Sequence, residues 1–457
     1  MEIVGLDREK KRALCILAAL LVFFMTMLAA CGVGVYNDSE QYITMHIHRE
    51  PLYPLFLWCF RGVIGEGYLP VAMAVQGILT AFGITVLSEY LTRRFQLRLW
   101  EEVLVVFLQL VPHLMTRYVS ALHIFLENSV MSEALCIPLF QFFLYFLLRM
   151  VFEERKRDRV LSLIMAFLLS MTRGQMMTTI LMWALIFVIQ LLIRRNYRAM
   201  VIPLAALFAV FGLRSLTVHV YNYFVTGYFM GNTYGQVNTL TNVIYACDEE
   251  DGAVFEEGSL ERAFFDQFYE EADALGLNYK YAGNTFGERA AYLEEHHDIL
   301  KFQVLEADMS FYFFGLGKVD YYQQSSMSDE MAGRMMQKLL PACFGQWLYD
   351  YVLLCRNGFV RSIAVVHPLI NWAALVIYLA AAGISLYLMI AKRRFEAPLA
   401  MGVALLFIAA NVCATSITIM CLSRYMIYGF SIFYIAFYLV VRETYYQIKE
   451  HKQGKLL

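Results

Sequence analysis

Charged side chains are scarce in this chain: Asp, Glu, Lys and Arg make up 17% of its 457 residues, against about 25% in an average soluble domain. Hydrophobic residues reach 60%, which is more apolar surface than a soluble fold can hide from water. The formal net charge is only -2, and this excludes a nucleic-acid-binding protein that depends on phosphate contacts. The composition therefore predicts an all-α polytopic membrane protein.

Cysteine patterns and internal repeats are also missing. The nine cysteines are scattered, with no CxxC motif and no ligand-like pairing with histidine, so neither a disulfide framework nor a zinc site is predicted. Without a repeat, a transporter built from two inverted halves is disfavoured. Cys31 ends a Leu-Ala-Ala-Cys string behind a basic, apolar leader. Most such leaders in polytopic chains are retained as the first helix, and lipidation of Cys31 is left open.

Apolar stretches long enough to span a membrane as helices recur along the chain. About ten transmembrane helices are predicted, at 13–35, 69–91, 102–117, 130–151, 160–173, 177–193, 199–218, 367–391, 397–417 and 424–441. Arg173 interrupts the pair at 160–193, and one kinked crossing is the alternative there.

Basic residues gather in alternate connections between these helices, such as 93–98, 155–159, 194–198 and 392–394. These clusters and the two termini hold more than half of the 37 Lys and Arg residues. Because basic residues are retained on the cytoplasmic side, the sequence predicts a multi-pass protein of the cell membrane with both termini cytoplasmic. A single crossing at 160–193 would put two basic clusters on opposite faces, so ten helices are favoured.

This topology predicts four parts. An N-terminal membrane domain at 1–218 contains seven helices and a first outer loop at 36–68. An acidic, extracytoplasmic helical insertion follows at 219–366, the last three helices occupy 367–441, and a cytoplasmic tail ends the chain at 442–457.

Local signals within the insertion predict helices and not strands. Ser259 is expected to cap a helix that ends near Gly276, and 285–288 has the spacing of a capping box. A third helix is predicted from 328 towards 355. The segment 231–253 is rich in Gly, Asn, Thr and Asp and is predicted to be a loop.

The few polar residues left in the membrane domain collect at its predicted outer surface. Such residues are costly near lipid, which makes their position informative about function. They are Asp38, Glu40, Tyr42 and Arg49 after the first helix, Arg117 and Glu133 around the fourth, Arg173 at the next outer turn, and Arg424 with Tyr425 at the start of the last helix.

Carboxylates and arginines at a lipid boundary suit one kind of chemistry. A carboxylate there can act as the general base on an acceptor hydroxyl. Arginines can hold a phosphate and offset the charge that develops on it as a leaving group. An amphiphilic donor with a phosphate head would bind where arginine meets apolar helix surface.

The order of these motifs resembles the GT-C fold glycosyltransferases that use polyprenyl-phosphate sugars, such as protein O-mannosyltransferases and aminoarabinose transferases. The resemblance covers roughly 1–220 and 367–441, and the insertion resembles no family. Its motifs are Asp38 with Tyr42, Arg49 with Pro51-Leu-Tyr-Pro54, Ser132-Glu133-Ala-Leu, Thr172-Arg173-Gly and Arg424-Tyr425.

The resemblance implies a GT-C-like fold and a membrane glycosyltransferase. Its donor would be a polyprenyl-phosphate-linked sugar, and its acceptor an envelope glycan, lipid or protein; membrane lipid is a partner and nucleic acid is not. Asp38 would be the general base, with Glu40 as second choice. The donor phosphate would be bound by Arg173, Arg424 and Arg117, and substrate by Tyr42, Arg49, Glu133 and Tyr425. Many relatives carry Asp-Glu or Asp-X-Asp where this chain has Asp38-Ser-Glu40, so a divalent cation is left open and no other cofactor is implied.

Other interpretations of the same residues are kept. A lipid-linked glycan polymerase or ligase would rely chiefly on arginines and histidine in its outer loop. A flippase or transporter would place ionisable residues near mid-membrane, which this chain does not. Structural roles are also open: Asp38 capping a short helix at Ser39, Glu133 stabilising a helix start, and Arg173 and Arg424 reaching to the interface.

Overall fold

The computed structural model describes residues 2–119, 123–317 and 319–454. Within these ranges the secondary structure is helical, and the one β pairing found there is an isolated parallel bridge between Gly34 and Ser129. The helices form two compact units. The first comprises the chain up to Leu216, Leu375–Ile408 and the chain from Ile427 onward, and the second comprises Thr217–Ala374 and Ala409–Met426.

The α-helices are numbered in chain order, and 3-10 turns connect several of them. They are α1 (Glu2–Cys31), α2 (Asn37–Ile43), α3 (Leu52–Ile64), α4 (Tyr68–Phe95), α5 (Leu99–Tyr118), α6 (Ser132–Phe152), α7 (Lys156–Thr172), α8 (Met177–Ile193), α9 (Val201–Thr226), α10 (Gly235–Tyr245), α11 (Leu260–Ala274), α12 (Phe286–Ile299), α13 (Glu306–Gly315), α14 (Tyr321–Ala342), α15 (Phe344–Ile363), α16 (Pro368–Ala391), α17 (Glu396–Thr418) and α18 (Ser423–Gly454).

Nine helical segments of the described chain are long and apolar enough to cross a membrane, which makes it a multi-pass, all-helical membrane protein. The segments are Glu9–Cys31, Tyr68–Phe95, Leu99–Tyr118, Ser132–Phe152, Gly174–Ile193, Tyr197–Thr226, Pro368–Ala391, Glu396–Thr418 and Ser423–Glu450. The last three residues of the predicted cytoplasmic tail, 455–457, lie outside the described residues.

The tenth predicted span, 160–173, does not reach this length. Its helix, α7, has 17 residues and opens with a charged turn from Lys156. At about 1.5 Å per residue such a helix is shorter than a hydrocarbon core of ~30 Å. Nine of the ten predicted spans are therefore long and apolar enough to cross a membrane, and α7 falls short of that length because charged residues occupy its end.

Helices α7 and α8 form a hairpin. Arg173 between them is extended, with φ -149° and ψ 133°. The indole N–H of Trp183 on α8 donates to the carbonyl of Arg159 on α7 at 2.9 Å. Arg194, after α8, forms an ion pair with Glu154, before α7. The two helices thus run antiparallel, and the alternative of one kinked crossing at 160–193 is wrong.

Arginines of the predicted cytoplasmic clusters bind acids at the same end of the helices. Arg12 Nε lies 2.8 Å from Glu102 Oε2, and Arg442 Nε lies 2.7 Å from Glu101 Oε1. Both glutamates are buried, and a buried carboxylate is stable only when its charge is compensated. These clusters therefore also join α1 and α18 to α5, while the membrane face on which they lie stays a prediction.

The second unit confirms two local predictions. Ser259 caps α11 by accepting from the backbone N–H of Arg262 at 3.2 Å, and Gly276 just beyond the helix has a left-handed φ of 69°. Thr285 and Glu288 form the capping box of α12. These signals succeed because every group involved lies within a few residues of its partner.

Two other predictions for this unit are corrected. The helix expected from 328 to 355 is two helices: α14 begins earlier, capped by Asp320, and the chain breaks at Cys343 before α15. The segment 231–253 is not a loop, because it contains α10, whose side chains are largely buried. Its N-terminal N–H groups are capped from outside the segment. Asp329 Oδ1 accepts from the N–H groups of Tyr234 at 2.9 Å and Gln236 at 2.8 Å.

We expect Asp329→Ala to destabilise the protein by about 2 kcal/mol, because it removes the acceptor for the start of α10. Asp329→Asn, which keeps one acceptor oxygen, should cost less. Thermal unfolding of the purified full chain measures both. Asp320→Ala, at the exposed cap of α14, is the control and should cost only about 0.5–1 kcal/mol; equal losses at 329 and 320 would contradict the capping role.

Asp350 on α15 should make stability depend on pH. Burial raises its pKa to about 7, although the Gln346 amide bonds to it and Arg289 act in the opposite direction. Because the folded pKa lies above the unfolded value of about 3.9, its contribution is complete below pH 4 and is lost as pH rises through 7. Asp350→Asn should therefore raise the unfolding temperature at pH 8 but not at pH 4. Exposed Glu295→Gln should leave the pH profile unchanged, and an unchanged profile for Asp350→Asn would contradict the assignment.

Candidate functional site

Two backbone hydrogen bonds hold the first loop against the segment that precedes α6. The N–H of Gly34 donates to the carbonyl of Asn128 at 2.8 Å, and the N–H of Val130 donates to the carbonyl of Gly34 at 2.9 Å. The Ser39 hydroxyl adds a bond to the carbonyl of Val130 at 2.8 Å. A Cβ on Gly34 would lie 2.6 Å from Ile124 Cδ1, so the close approach suits glycine. These bonds bring α2 beside the start of α6.

Asp38 lies in the first turn of α2 and forms an ion pair. Its Oδ1 is 2.8 Å from Nη2 of Arg49, and the side chain of Asp38 is 28% exposed. Arg49 Nε also donates to the side-chain oxygen of Gln41 at 2.7 Å. At the helix start, the backbone N–H of Tyr36 is accepted by the hydroxyl of Ser39 at 2.8 Å. Ser39 thus provides the side-chain cap of α2 that was considered for Asp38, and Asp38 instead pairs with Arg49.

Tyr42 connects this ion pair to α6. It is buried, its ring meets Tyr53 edge-on at 5.0 Å, and its hydroxyl lies 2.9 Å from Ser132 Oγ. Arg49 Nη1 donates to the Tyr42 hydroxyl at 3.4 Å. Burial raises the pKa of the Tyr42 phenol, and the charge of Arg49 opposes this. The phenol is therefore a neutral hydrogen-bond donor at physiological pH.

Arg173 and Glu133 form a second ion pair beside Ser132. Arg173 Nη1 lies 2.6 Å from Glu133 Oε2 and donates to Ser132 Oγ at 3.0 Å. The side chains are 13% and 2% exposed. Arg173 is aimed inward because the backbone between the two helices of the hairpin is extended at this residue. It is thus a buried partner of Glu133 and does not reach out to the interface.

Five of the predicted site residues therefore belong to one hydrogen-bonded network: Asp38, Tyr42, Arg49, Glu133 and Arg173. Ser132 accepts from Arg173 and donates to Glu133 Oε2 at 3.4 Å. A hydroxyl has one proton, so Tyr42 must be the donor in its bond with Ser132. The donors consequently run in one direction, from Arg49 through Tyr42 and Ser132 to the carboxylate of Glu133.

Two predicted residues of the first unit lie elsewhere. Glu40 is exposed, two positions from Asp38 on α2, and side chains at this spacing point to different sides of a helix. Arg117 Nη1 donates to the carbonyl of His123 and its guanidinium lies 5.8 Å from the Tyr118 ring. Arg117 thus contacts residues that lie close to it in the chain and not the network.

Arg424 and Tyr425 belong to the second unit. Arg424 Nη2 donates to the Tyr425 hydroxyl at 3.2 Å, and Asn411 holds the backbone carbonyl of Tyr425 at 3.1 Å. The pKa of Asp298 is lowered first by its hydrogen bond from His297, and the charge of Arg424 contributes to the same effect. Binding of donor phosphate by Arg424, and of substrate by Tyr425, stay predictions.

Sequence reasoning missed a third ion pair beside this network. Arg214 on α9 pairs with Glu50, and the side chains are 17% and 11% exposed. A Cβ on Gly174 would lie 3.2 Å from Glu50 Oε1, so this carboxylate sits against the backbone next to Arg173. Arg214 was overlooked because it lies within the predicted span 199–218. Its signal in the sequence is that a single charged residue within an apolar span often marks a functional site.

A narrow apolar cleft, with a cavity volume of about 50 Å³, lies within the first unit. Helices α4, α5, α6, α17 and α18 line it, with Leu87, Gln109, Phe140, Ala400 and Ile435 among the side chains that do so. Tyr428 also lines it and lies near Arg173 and Cys136. One residue of the cleft lining therefore lies near the Arg173–Glu133 ion pair, and most of the other lining side chains are apolar.

Asp38 and Glu40, the two carboxylates for which metal dependence was left open, point to different sides of α2. Asp38 faces Arg49 and Glu40 points away from it, as described above. In the described ranges of the chain no group of three or more His, Cys, Asp and Glu side chains could hold a metal ion. Metal dependence therefore stays open.

Comparison with known proteins adds no relative: the chain matches no family model, no curated protein and no solved structure. The chemistry of the site is thus argued from its own geometry.

The Arg173–Glu133 ion pair should dominate the stability of this region. Arg173→Ala leaves a buried carboxylate without its partner, which we expect to cost about 3–5 kcal/mol. The double variant Arg173→Met/Glu133→Leu should recover most of that loss, because it leaves no buried charge. Thermal unfolding of the four proteins in a double-mutant cycle measures the coupling. Losses that simply add would show that the two side chains do not compensate each other.

Proposed function

We propose that the protein is an integral membrane glycosyltransferase that transfers a sugar from a polyprenyl-phosphate donor to a cell-envelope glycan, lipid or protein on the extracytoplasmic face. One observation carries this proposal: Tyr428, which lines an apolar cleft in a membrane domain, lies near Arg173 of the carboxylate–arginine network. An amphiphile with a phosphate head and an apolar chain has complementary chemistry to both parts.

Asp38 is the proposed general base. With 28% of its side chain exposed, its carboxylate is open to an acceptor hydroxyl, and Arg49 holds it in one orientation. Asp38 takes the proton of that hydroxyl as the acceptor oxygen bonds to the anomeric carbon. The bond from the anomeric carbon to the phosphate oxygen breaks, and the electron pair leaves with the lipid phosphate.

Arginines stabilise the departing phosphate in this proposal. Arg173 lies near Tyr428 of the cleft lining, and Arg117 and Arg424 are retained from the resemblance to the GT-C family. The polyprenyl chain packs against apolar helix surface beside the cleft, where burial of apolar surface supplies affinity. Tyr42, Arg49, Glu133 and Tyr425 contribute to the substrate-binding surface, with Glu133 holding the guanidinium of Arg173 in place.

A lipid-linked glycan polymerase or ligase is the second candidate. It is favoured by one observation: the arginines of the site outnumber its exposed carboxylates, and Arg173 and Arg214 each form an ion pair with a glutamate. Such an enzyme would depend on those arginines and not on Asp38. A flippase ranks third, because its ionisable residues would be expected deeper among the spans.

Asp38→Asn should abolish sugar transfer while leaving the unfolding temperature nearly unchanged, because the amide keeps the shape but cannot accept the proton at neutral pH. Transfer from a radiolabelled polyprenyl-phosphate sugar to extracted envelope material, by purified protein in vesicles, measures this. We expect at least a hundredfold loss, the order that general-base catalysis supplies.

Glu40→Gln is the matched control, since it removes a carboxylate from the same helix two residues away and should retain most of the transfer. Full activity of Asp38→Asn would remove Asp38 from the mechanism. If that variant stays active while Arg173→Gln is inactive, the polymerase or ligase is the better description.

A further inference from the structure

Arg214 occupies an unusual place on α9. It is the single charged residue between 201 and 218, and only 6% of the most apolar window of that spanning segment is buried. Its neighbours Leu213 and Leu216 are 51% and 54% exposed. Arg214 itself is only 17% exposed, and a charge within such an apolar helix indicates a functional site.

The ion pair with Glu50 shows where Arg214 lies relative to the network. Glu50 follows Arg49 of the network, and its carboxylate contacts both Arg214 and the backbone at Gly174, where the hairpin turns. Arg214 therefore lies level with the network and not in the middle of the bundle. Its Nε is buried without a hydrogen-bond partner among the described residues, which leaves the guanidinium with unused donor capacity.

From this arrangement we infer that Arg214 is a binding site for the phosphate head of an anionic lipid, with Glu50 as the resident counter-ion that the phosphate displaces. The inference rests on the proposed function, since it names where an amphiphilic donor first contacts the protein. A phosphate suits Arg214 because its oxygens can accept from two guanidinium nitrogens at once. The exposed apolar face of α9 beside it suits the lipid chain.

If the lipid phosphate displaces Glu50 from Arg214, the two residues have opposite effects on lipid binding. Arg214 attracts the phosphate, and Glu50 competes with the phosphate for the same donors. Removing the arginine should therefore weaken lipid binding, and neutralising Glu50 should strengthen it. A salt bridge that only joins two helices would behave differently, because loss of either partner would disturb the site in the same way.

The test is a binding isotherm of a fluorescent polyprenyl monophosphate to the full chain in neutral-lipid nanodiscs. Because this probe has no sugar, binding does not require transfer. Arg214→Gln should weaken binding at least about tenfold, as expected for loss of a charge-assisted bidentate contact, and Glu50→Gln should tighten it. Arg361→Gln is the matched control, since Arg361 and Glu294 form an ion pair of similar exposure, 16% and 13%, in the second unit.

Weakening by both Arg214→Gln and Glu50→Gln would overturn the inference and make the pair structural. The double variant Arg214→Gln/Glu50→Gln has no buried charge, and should fold and bind as weakly as Arg214→Gln; wild-type affinity in it would also overturn the inference. Inorganic phosphate competing as well as the lipid phosphate would do the same, because the site would then bind free phosphate. If Arg214→Gln weakens lipid binding and Glu50→Gln strengthens it, but the wild-type protein transfers no sugar, the transferase is refuted and the lipid-phosphate site is supported.

Discussion

The two backbone hydrogen bonds between Gly34 and the segment 128–130 are the contact on which the site depends. Neither segment is long enough to be a stable element, yet their polar backbone groups cannot remain unpaired near lipid. Pairing them to each other satisfies these groups. It also places α2 against α6, so that Tyr42 reaches Ser132 at 2.9 Å. Asp38 and Arg49 follow from the position of α2, and Glu133 and Arg173 from that of α6.

Scarcity of charge then determines how the site is stabilised. At the other end of the helices, Arg12 and Arg442 compensate two glutamates whose side chains are only 1% and 2% exposed. Around the network the same kinds of residue form a gradient, from Glu133 at 2% exposed to Asp38 at 28%. Arginine–carboxylate pairs thus join helices at the start of α5, whereas in the network such a pair leaves the carboxylate of Asp38 partly exposed. Exposure, and not residue type, separates the two roles.

The sequence predicted the parts of the structure that depend on near neighbours. Apolar runs located nine spans, and the caps at Ser259 and Thr285 were found from residues within one turn. It failed at α10, because Asp329 caps that helix from 95 residues away. The same limit applies to the prediction of the site. The individual residues were chosen for their type and their place near helix ends, whereas the contact of Tyr42 with Ser132 joins positions 90 apart, and no local pattern encodes it.

The distribution of exposure also constrains which contacts can change during function. Breaking the Arg173–Glu133 pair would leave a carboxylate that is 2% exposed without compensation, so this pair is a fixed support. The Asp38–Arg49 pair is 28% and 22% exposed, where water and substrate can replace either partner at low cost. The Glu50–Arg214 pair lies between these limits, with side chains that are 11% and 17% exposed. Exchange of partners is therefore easiest at the Asp38–Arg49 pair, less easy at the Glu50–Arg214 pair, and hardest at the Arg173–Glu133 pair.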